Sequence, residues 1–344
     1  MVQETTALEI INLGQGLQVP NQGFGSMSLS GPYGSADDAQ SLRTANHAID
    51  AGVTFVDTAN IYGEGHNEKL LAQVLKTRRD EVTLATKAGI VRPKNPGDPR
   101  ANGEPAFIKK CLDESLQRLG VDEVDLYYYH RVDSRVPIEE TVGAYADLVQ
   151  AGKIRFIGLS EVTSNELRRA HAVHPIAAIQ MEYSILSRDI ERWLLPTASE
   201  LGVGLVPYAS LGRGFFTGAV DSVEQLEAKD FRRNFPRFTD ENIGTNLTLR
   251  SRIYEVAARE GITPAQLSLA WVYEQAREFN VAVSPIPGTR FAAHVDENVA
   301  AASLRLSAQS LEELNTLADQ VAGERQQDIY FVSKGREELQ MAQA

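Results

Sequence analysis

Eight short apolar runs recur along the chain, at residues 23–25, 54–57, 82–87, 125–130, 155–160, 178–180, 204–208 and 281–284. Between them lie longer amphipathic stretches at 36–51, 68–75, 107–119, 138–151, 165–173, 191–201, 246–260 and 264–277. Several stretches carry helix-end signals: Thr163 and Ser164 before the fifth, Thr263-Pro264 opening the last, and Gly52, Gly152 and Gly202 just past others. Strands of this kind separated by helices predict a parallel sheet with right-handed crossovers. Eight strands close such a sheet into a (β/α)8 TIM barrel. No Gly-x-Gly-x-x-Gly turn follows an early strand, which weighs against an open doubly wound sheet. Residues 8–20 read as a β-hairpin capping the barrel bottom. No polar linker divides the chain, so residues 1–344 form one domain.

Two regions depart from the repeat. A long loop after the seventh strand, residues 213–244, mixes aromatic and basic residues in Phe231-Arg-Arg-Asn-Phe-Pro-Arg-Phe238 and reads as a site-covering segment. The polar tail at 322–344 shows no strand or helix partner and reads as surface packing or fraying.

In a parallel barrel the residues ending the strands gather on one rim, where the site lies. That rim reads Asp57, Lys87, His130, Ser160, Gln180 and Tyr208, with Tyr62 in the loop after Asp57. An amine beside a phenol favours the phenolate and lowers its pKa from about 10. Asp57 can pair with Lys87, and His130 can donate a hydrogen bond to an oxygen gaining negative charge. Such a set suits carbonyl reduction, with hydride arriving at carbon and a proton at oxygen.

Other chemistries lack their patterns. The chain has no His-Glu-x-x-His, no cysteine cluster and no Gly-x-Ser-x-Gly, and the rim offers no second carboxylate for glycosidase chemistry. His171 and His174 read as surface residues and Cys111 as a packed helix residue, so no metal is expected. With 34 Lys and Arg against 46 Asp and Glu, the formal charge of -12 argues against nucleic acid or an anionic membrane as principal partner. One cysteine, no leader pattern and no bilayer-length apolar run make a cytoplasmic protein the expectation. The sequence assigns no oligomeric state.

The ordered pieces Asp57-Thr-Ala-Asn-Ile-Tyr-Gly63, Asp125-Leu-Tyr-Tyr-Tyr-His130, Gly152-Lys-Ile-Arg-Phe-Ile-Gly-Leu-Ser160, Gln180-Met-Glu-Tyr-Ser184, Pro207-Tyr-Ala-Ser-Leu-Gly-Arg-Gly214 and Ile286-Pro-Gly-Thr-Arg290 resemble the aldo-keto reductases, in particular their microbial and plant members. The resemblance runs from about residue 8 to 298. It implies an NADPH-dependent oxidoreductase acting on a small carbonyl substrate, with Asp57, Tyr62, Lys87 and His130 as the catalytic tetrad and Tyr62 as general acid. It further implies that Gly25, Ser26 and Met27 line the cofactor and that Ser160 and Gln180 hold the nicotinamide carboxamide. Tyr208 would stack on the ring, with Ser210, Leu211, Gly212 and Arg213 along the pyrophosphate. Glu161 stands where many members have an asparagine. Gly288, Thr289, Arg290, His294, Glu297 and Asn298 would hold the adenosine end. His294 replaces a frequent arginine there, so Arg290 is expected to grip the 2′-phosphate, with NADPH favoured and NADH the alternative. Aromatic residues in the rim loops suggest aromatic or medium-sized apolar aldehydes and ketones. A second reading is a non-catalytic or regulatory NADP-binding subunit of a larger assembly, as some relatives are.

Overall fold

The computed structural model describes residues 7–343. A hairpin, β1 (Ile10–Gly14) and β2 (Leu17–Pro20), precedes the main sheet. The sheet then runs through β3 (Phe24–Gly25), β4 (Phe55–Asp57), β5 (Thr83–Ala88), β6 (Val124–Tyr129), β7 (Ile154–Ser160), β8 (Ala178–Glu182) and β9 (Gly204–Tyr208). Neighbours in the chain are neighbours in the sheet, all parallel.

The eighth stave, expected at 281–284, is extended chain that bonds to both edges of the sheet. Leu205 N donates to Ala282 O at 2.8 Å, Ser284 N to Leu205 O at 3.0 Å, and on the other side Gly23 N to Pro285 O at 2.9 Å. Pro285 and Pro287 have no N–H to give, so a regular ladder cannot run through this stave. The sheet is thus a nearly closed (β/α)8-type barrel. At its seam Gly25 and Gly288 meet backbone to backbone. A Cβ on Gly25 would lie 2.5 Å from Ile286 O, and one on Gly288 would lie 2.6 Å from Gly25 O. No side chain fits either position.

Alternation along the strands sorts the core into two layers. Phe55, Ala85, Leu126, Tyr128, Ala178 and Val206 fill the barrel interior together with Leu13, Leu17 and Val19 of the hairpin. The hairpin therefore plugs the end where the strands begin: a Cβ on Gly204 would meet Leu13 O at 2.0 Å. Tyr127 and Tyr129 face outward into the layer beneath the helices.

The helices are α1 (Asp38–Asp50), α2 (His66–Arg78), α3 (Pro105–Leu119), α4 (Ile138–Gln150), α5 (Ser164–Val173), α6 (Leu194–Leu201), α7 (Asp240–Glu260) and α8 (Pro264–Glu278). Thr163 and Thr263 close capping boxes with Glu166 and Gln266, as their sequence signals imply. Beyond the eight expected helices lie α9 (Ala292–Ala300), α10 (Ala308–Asn315) and α11 (Ser333–Gln343). The last corrects the reading of the tail as fraying surface. Arg325, Ser333 and Glu337 are buried, and Glu337 accepts from Ser164 N at 2.7 Å, tying α11 to the start of α5.

Candidate active site

The strand ends place a lysine, an aspartate and a tyrosine in direct contact. Lys87, the fifth residue of β5, has a fully buried side chain, and all three of its N–H bonds are used. Nζ donates to Asp57 Oδ1 at 2.5 Å, to Thr58 O at 2.7 Å and to the Tyr62 hydroxyl at 3.1 Å. Asp57 Oδ2 accepts from Gln180 Nε2 at 2.8 Å, so both carboxylate oxygens are fixed. Because the Tyr62 hydroxyl accepts from Lys87, its own proton is free to point elsewhere.

Tyr62 reaches this position through a tight turn. It opens a 3-10 turn, Tyr62–Gly65, in which Gly63 and Glu64 have φ of 54° and 57°. The glycine directly after the tyrosine relieves half of that left-handed strain. His130 follows β6, its ring 6.0 Å from that of Tyr62 and edge-on at 81°.

Burial sets the protonation states. It pushes the Tyr62 hydroxyl above a phenol's ordinary 10, and Lys87 pulls down against it without prevailing. This corrects the expectation that the amine would leave the pKa lowered; the desolvation cost of a phenolate outweighs one neighbouring charge already paired with Asp57. Burial likewise raises Asp57 against the pull of Lys87. For Lys87, burial opposes the charge, but Asp57 and Tyr62 outweigh it and the amine stays protonated. Burial, then Arg131 and Lys87, hold His130 well below its usual value, so the imidazole is neutral at pH 7. The buried His130 Nδ1 has no partner among the described residues.

Tyr62, Asp57 and His130 open into a cavity of about 1040 Å³. That is the upper end of the range for sites enclosing a sizeable organic molecule. Its walls join the strand ends to the stretch 286–298 and to the long loop after β9. The loop crosses the rim: Phe231 N donates to Pro32 O at 2.9 Å, and Ser35 N donates to Glu227 Oε1 at 3.2 Å.

Most residues singled out in the sequence border this cavity: Gly25, Met27, Gln180, Tyr208, Ser210, Leu211 and Arg213, and Gly288, Thr289, Arg290, His294, Glu297 and Asn298 from the stretch after the eighth stave. Four do not border it. Lys87 sits beneath Tyr62. Ser26 turns its hydroxyl inward to Asp57 O at 2.6 Å and to Asn67 Oδ1 at 2.5 Å. Gly212 faces Phe216. Ser160 lies behind Arg131, whose Nη1 donates to its hydroxyl at 3.0 Å.

One charged residue is more committed than the sequence implied. Arg213 donates to Glu182 at 2.6 Å and stacks 4.2 Å from the Phe235 ring, so its charge is neutralised within the protein. Arg290, by contrast, donates only to the carbonyls of Ser35 and Tyr33 and has no carboxylate partner among the described residues. His294 Nδ1 is 3.2 Å from Thr289 Oγ1.

Sequence reasoning missed Arg131 and Phe331. Arg131 lines the cavity, is buried, and donates to His130 O at 2.6 Å as well as to Ser160. Its position next to the strand-ending histidine was the available signal. Phe331 belongs to the tail and stands 5.6 Å over the Arg131 guanidinium, a contact no local pattern announces.

A nearly closed parallel barrel with this constellation on its strand ends finds close counterparts. Residues 22–319 match the Aldo/keto reductase family, and the chain belongs to that family of oxidoreductases. A probable aldo-keto reductase 1 from Glycine max is 42% identical over 310 residues, covering 89% of this chain and 88% of that protein. Among solved structures, the glycerol dehydrogenase of Gluconobacter oxydans superposes with a TM-score of 0.78 at 26% identity, covering 95% of this chain and 99% of the other. An aldo/keto reductase from Klebsiella pneumoniae, in complex with NADP and acetate, superposes with a TM-score of 0.69 at 28% identity over 93% and 99% of the two chains. No helix among the described residues is long and apolar enough to cross a membrane.

Proposed function

We propose that the protein reduces aldehydes or ketones to alcohols, taking hydride from NADPH and delivering the proton from Tyr62. The observation that carries this reading is the buried Asp57–Lys87 pair bonded to the Tyr62 hydroxyl on the floor of the cavity.

The residues suit a dinucleotide. Among the described residues, Arg290 of the cavity wall has no carboxylate partner and the buried Ser210 hydroxyl no hydrogen-bond partner. NADPH would lie with its carboxamide toward Gln180 and the Ser160–Arg131 pair, its ring on Tyr208 and its 2′-phosphate toward Arg290 and His294. When bound, it supplies a hydride to the carbonyl carbon.

The chain's own residues handle the proton. A substrate carbonyl oxygen placed between Tyr62 and His130 receives two hydrogen bonds, one from the phenol and one from a neutral imidazole. A phenol held protonated at neutral pH is ready to donate as negative charge builds on that oxygen. Once its proton has left, the phenolate is met by the Lys87 ammonium already 3.1 Å away, and Asp57 keeps that ammonium charged and in place. The low dielectric of the pocket strengthens each contact. Apolar walls from Ile90, Pro93 and Phe331 favour aromatic or medium-sized apolar carbonyl compounds.

The test is consumption of NADPH absorbance with 4-nitrobenzaldehyde, widened to a panel of aldehydes, ketones and quinones with both cofactors. Turnover that is abolished in Tyr62→Phe supports the reading. NADPH binding without turnover of any panel member would favour the regulatory subunit instead.

A further inference from the structure

Glu161 occupies the place next to Ser160 where many family members have an asparagine, and its carboxylate accepts six hydrogen bonds. Its Oε1 accepts from Arg325 Nη1 at 3.1 Å, Glu182 N at 3.1 Å and the Tyr208 hydroxyl at 2.8 Å. Its Oε2 accepts from Arg325 Nη2 at 2.8 Å, Ser333 N at 3.0 Å and Ser333 Oγ at 3.1 Å. Glu161 and Arg325 expose 0% and 2% of their surface, so neither charge meets water and each must be balanced within the protein; Arg325 Nη2 also donates to Asp189 Oδ2 at 3.0 Å. Burial would raise the Glu161 pKa, but Arg325 and Arg131 hold it well below the ordinary 4.5. The backbone at Glu161 is also left-handed, with φ of 52°, a conformation a non-glycine residue keeps only where its surroundings enforce it.

With its side chain tied up in this way, Glu161 cannot touch a nicotinamide carboxamide as an asparagine would. Its side-chain link toward the cavity is the Tyr208 hydroxyl, beside the backbone N–H of Glu182. Arg131 completes the link on the other side, donating to the Tyr208 hydroxyl at 3.4 Å and to Ser160 at 3.0 Å. A tyrosine ring fixed at its hydroxyl loses rotational freedom about the barrel rim, which presents a pre-set face to a stacking ring.

We propose that Glu161 is a positioning residue of the nicotinamide site, fixing Tyr208 through its hydroxyl while Arg325, from the C-terminal segment, supplies the counter-charge that lets the carboxylate stay buried. The segment read as a loose tail is thereby part of the cofactor site. This rests on the reading that Tyr208 stacks on NADPH.

The test is a binding measurement, fluorescence titration of NADPH in the absence of any carbonyl. Tyr208→Phe keeps the ring and all other Glu161 contacts, and its Kd should rise on the order of ten-fold, the scale of one hydrogen bond to a charged acceptor. In steady state its KM for NADPH should rise while that for the aldehyde holds. In a Glu161→Leu/Arg325→Met background, Tyr208→Phe should have no further effect on Kd, because the acceptor is already gone. Glu337→Gln, which loosens α11 at its other anchor, should lower thermal stability and leave Kd unchanged, separating positioning from a general loosening of the tail. Tyr208→Phe binding NADPH like wild type would overturn the proposal. So would a Glu337→Gln Kd that rises as much as that of Tyr208→Phe. Failure of the wild-type protein to bind NADPH would instead overturn the proposed function.

Discussion

Replacing Lys87 with methionine isolates the energetics of the tetrad. Met fills the aliphatic volume of lysine but leaves the Asp57 carboxylate, 1% exposed, with a single neutral donor, the Gln180 amide. Removing one member of a buried ion pair typically costs about 3–5 kcal/mol, because the remaining charge is desolvated and uncompensated. At roughly 2.1 cal/mol/K of unfolding entropy per residue, that corresponds to a fall in Tm of about 4–7 °C for a chain of 344 residues. The loss depends on pH in a definite direction. Burial already raises Asp57 above 3.8 against the pull of Lys87, and without the lysine nothing charged in contact opposes it. A carboxyl with a folded pKa above its unfolded value binds more protons in the native state. The variant's stability deficit relative to wild type therefore grows as pH rises above about 4 and shrinks as pH falls. Thermal and urea unfolding across this pH range measures it, and the double variant Lys87→Met/Asp57→Asn, which removes the stranded charge, should recover more than half of the loss. Wild-type stability of Lys87→Met at neutral pH, with no added pH dependence, would refute the reasoning.

Other outcomes follow from single contacts. Gly25→Ala places a methyl 2.5 Å from Ile286 O at the barrel seam and should lower Tm by several degrees or prevent folding; circular dichroism melts would show it. Arg290→Ala should raise the KM for NADPH far more than that for NADH, and equal changes would mean that Arg290 does not read the 2′-phosphate. Cys111 is 4% exposed and its thiol is pushed up to about 11 by burial, so the native protein should resist Ellman's reagent at pH 8 while the unfolded chain reacts.

How much the sequence discloses depends on the range of the interaction. Local pattern was enough for β5, β6 and β9, whose apolar runs are bounded by turn signals, and for α5 and α8, whose capping boxes are written in four residues. The rim residues Asp57, Lys87 and His130 could be gathered because a parallel barrel brings strand ends together whatever their separation in the chain. The eighth stave was placed correctly but is irregular, since Pro285 and Pro287 deny it a ladder. Pairings set by the tertiary fold stayed hidden. Glu161 and Arg325 lie 164 residues apart, and nothing near Arg325 marks it as the partner of a buried acid. For a related reason the rim order discloses the lysine's pull on Tyr62 but not the net direction of its pKa. The lysine's proximity is legible in the rim order, whereas the extent of burial that outweighs it belongs to the assembled pocket.

Proton donation by Tyr62 is the central claim, and the most direct test compares Tyr62→Phe with wild type in two readings on the same preparation. NADPH titration by fluorescence should give the same Kd within about two-fold, because the Tyr62 hydroxyl bonds to Lys87 and, in the proposed reduction, serves the carbonyl oxygen and not the dinucleotide. Reduction of 4-nitrobenzaldehyde should fall by about 10²–10⁴-fold, the usual contribution of a positioned general acid. Retention of wild-type turnover by Tyr62→Phe, with cofactor binding intact, would contradict it.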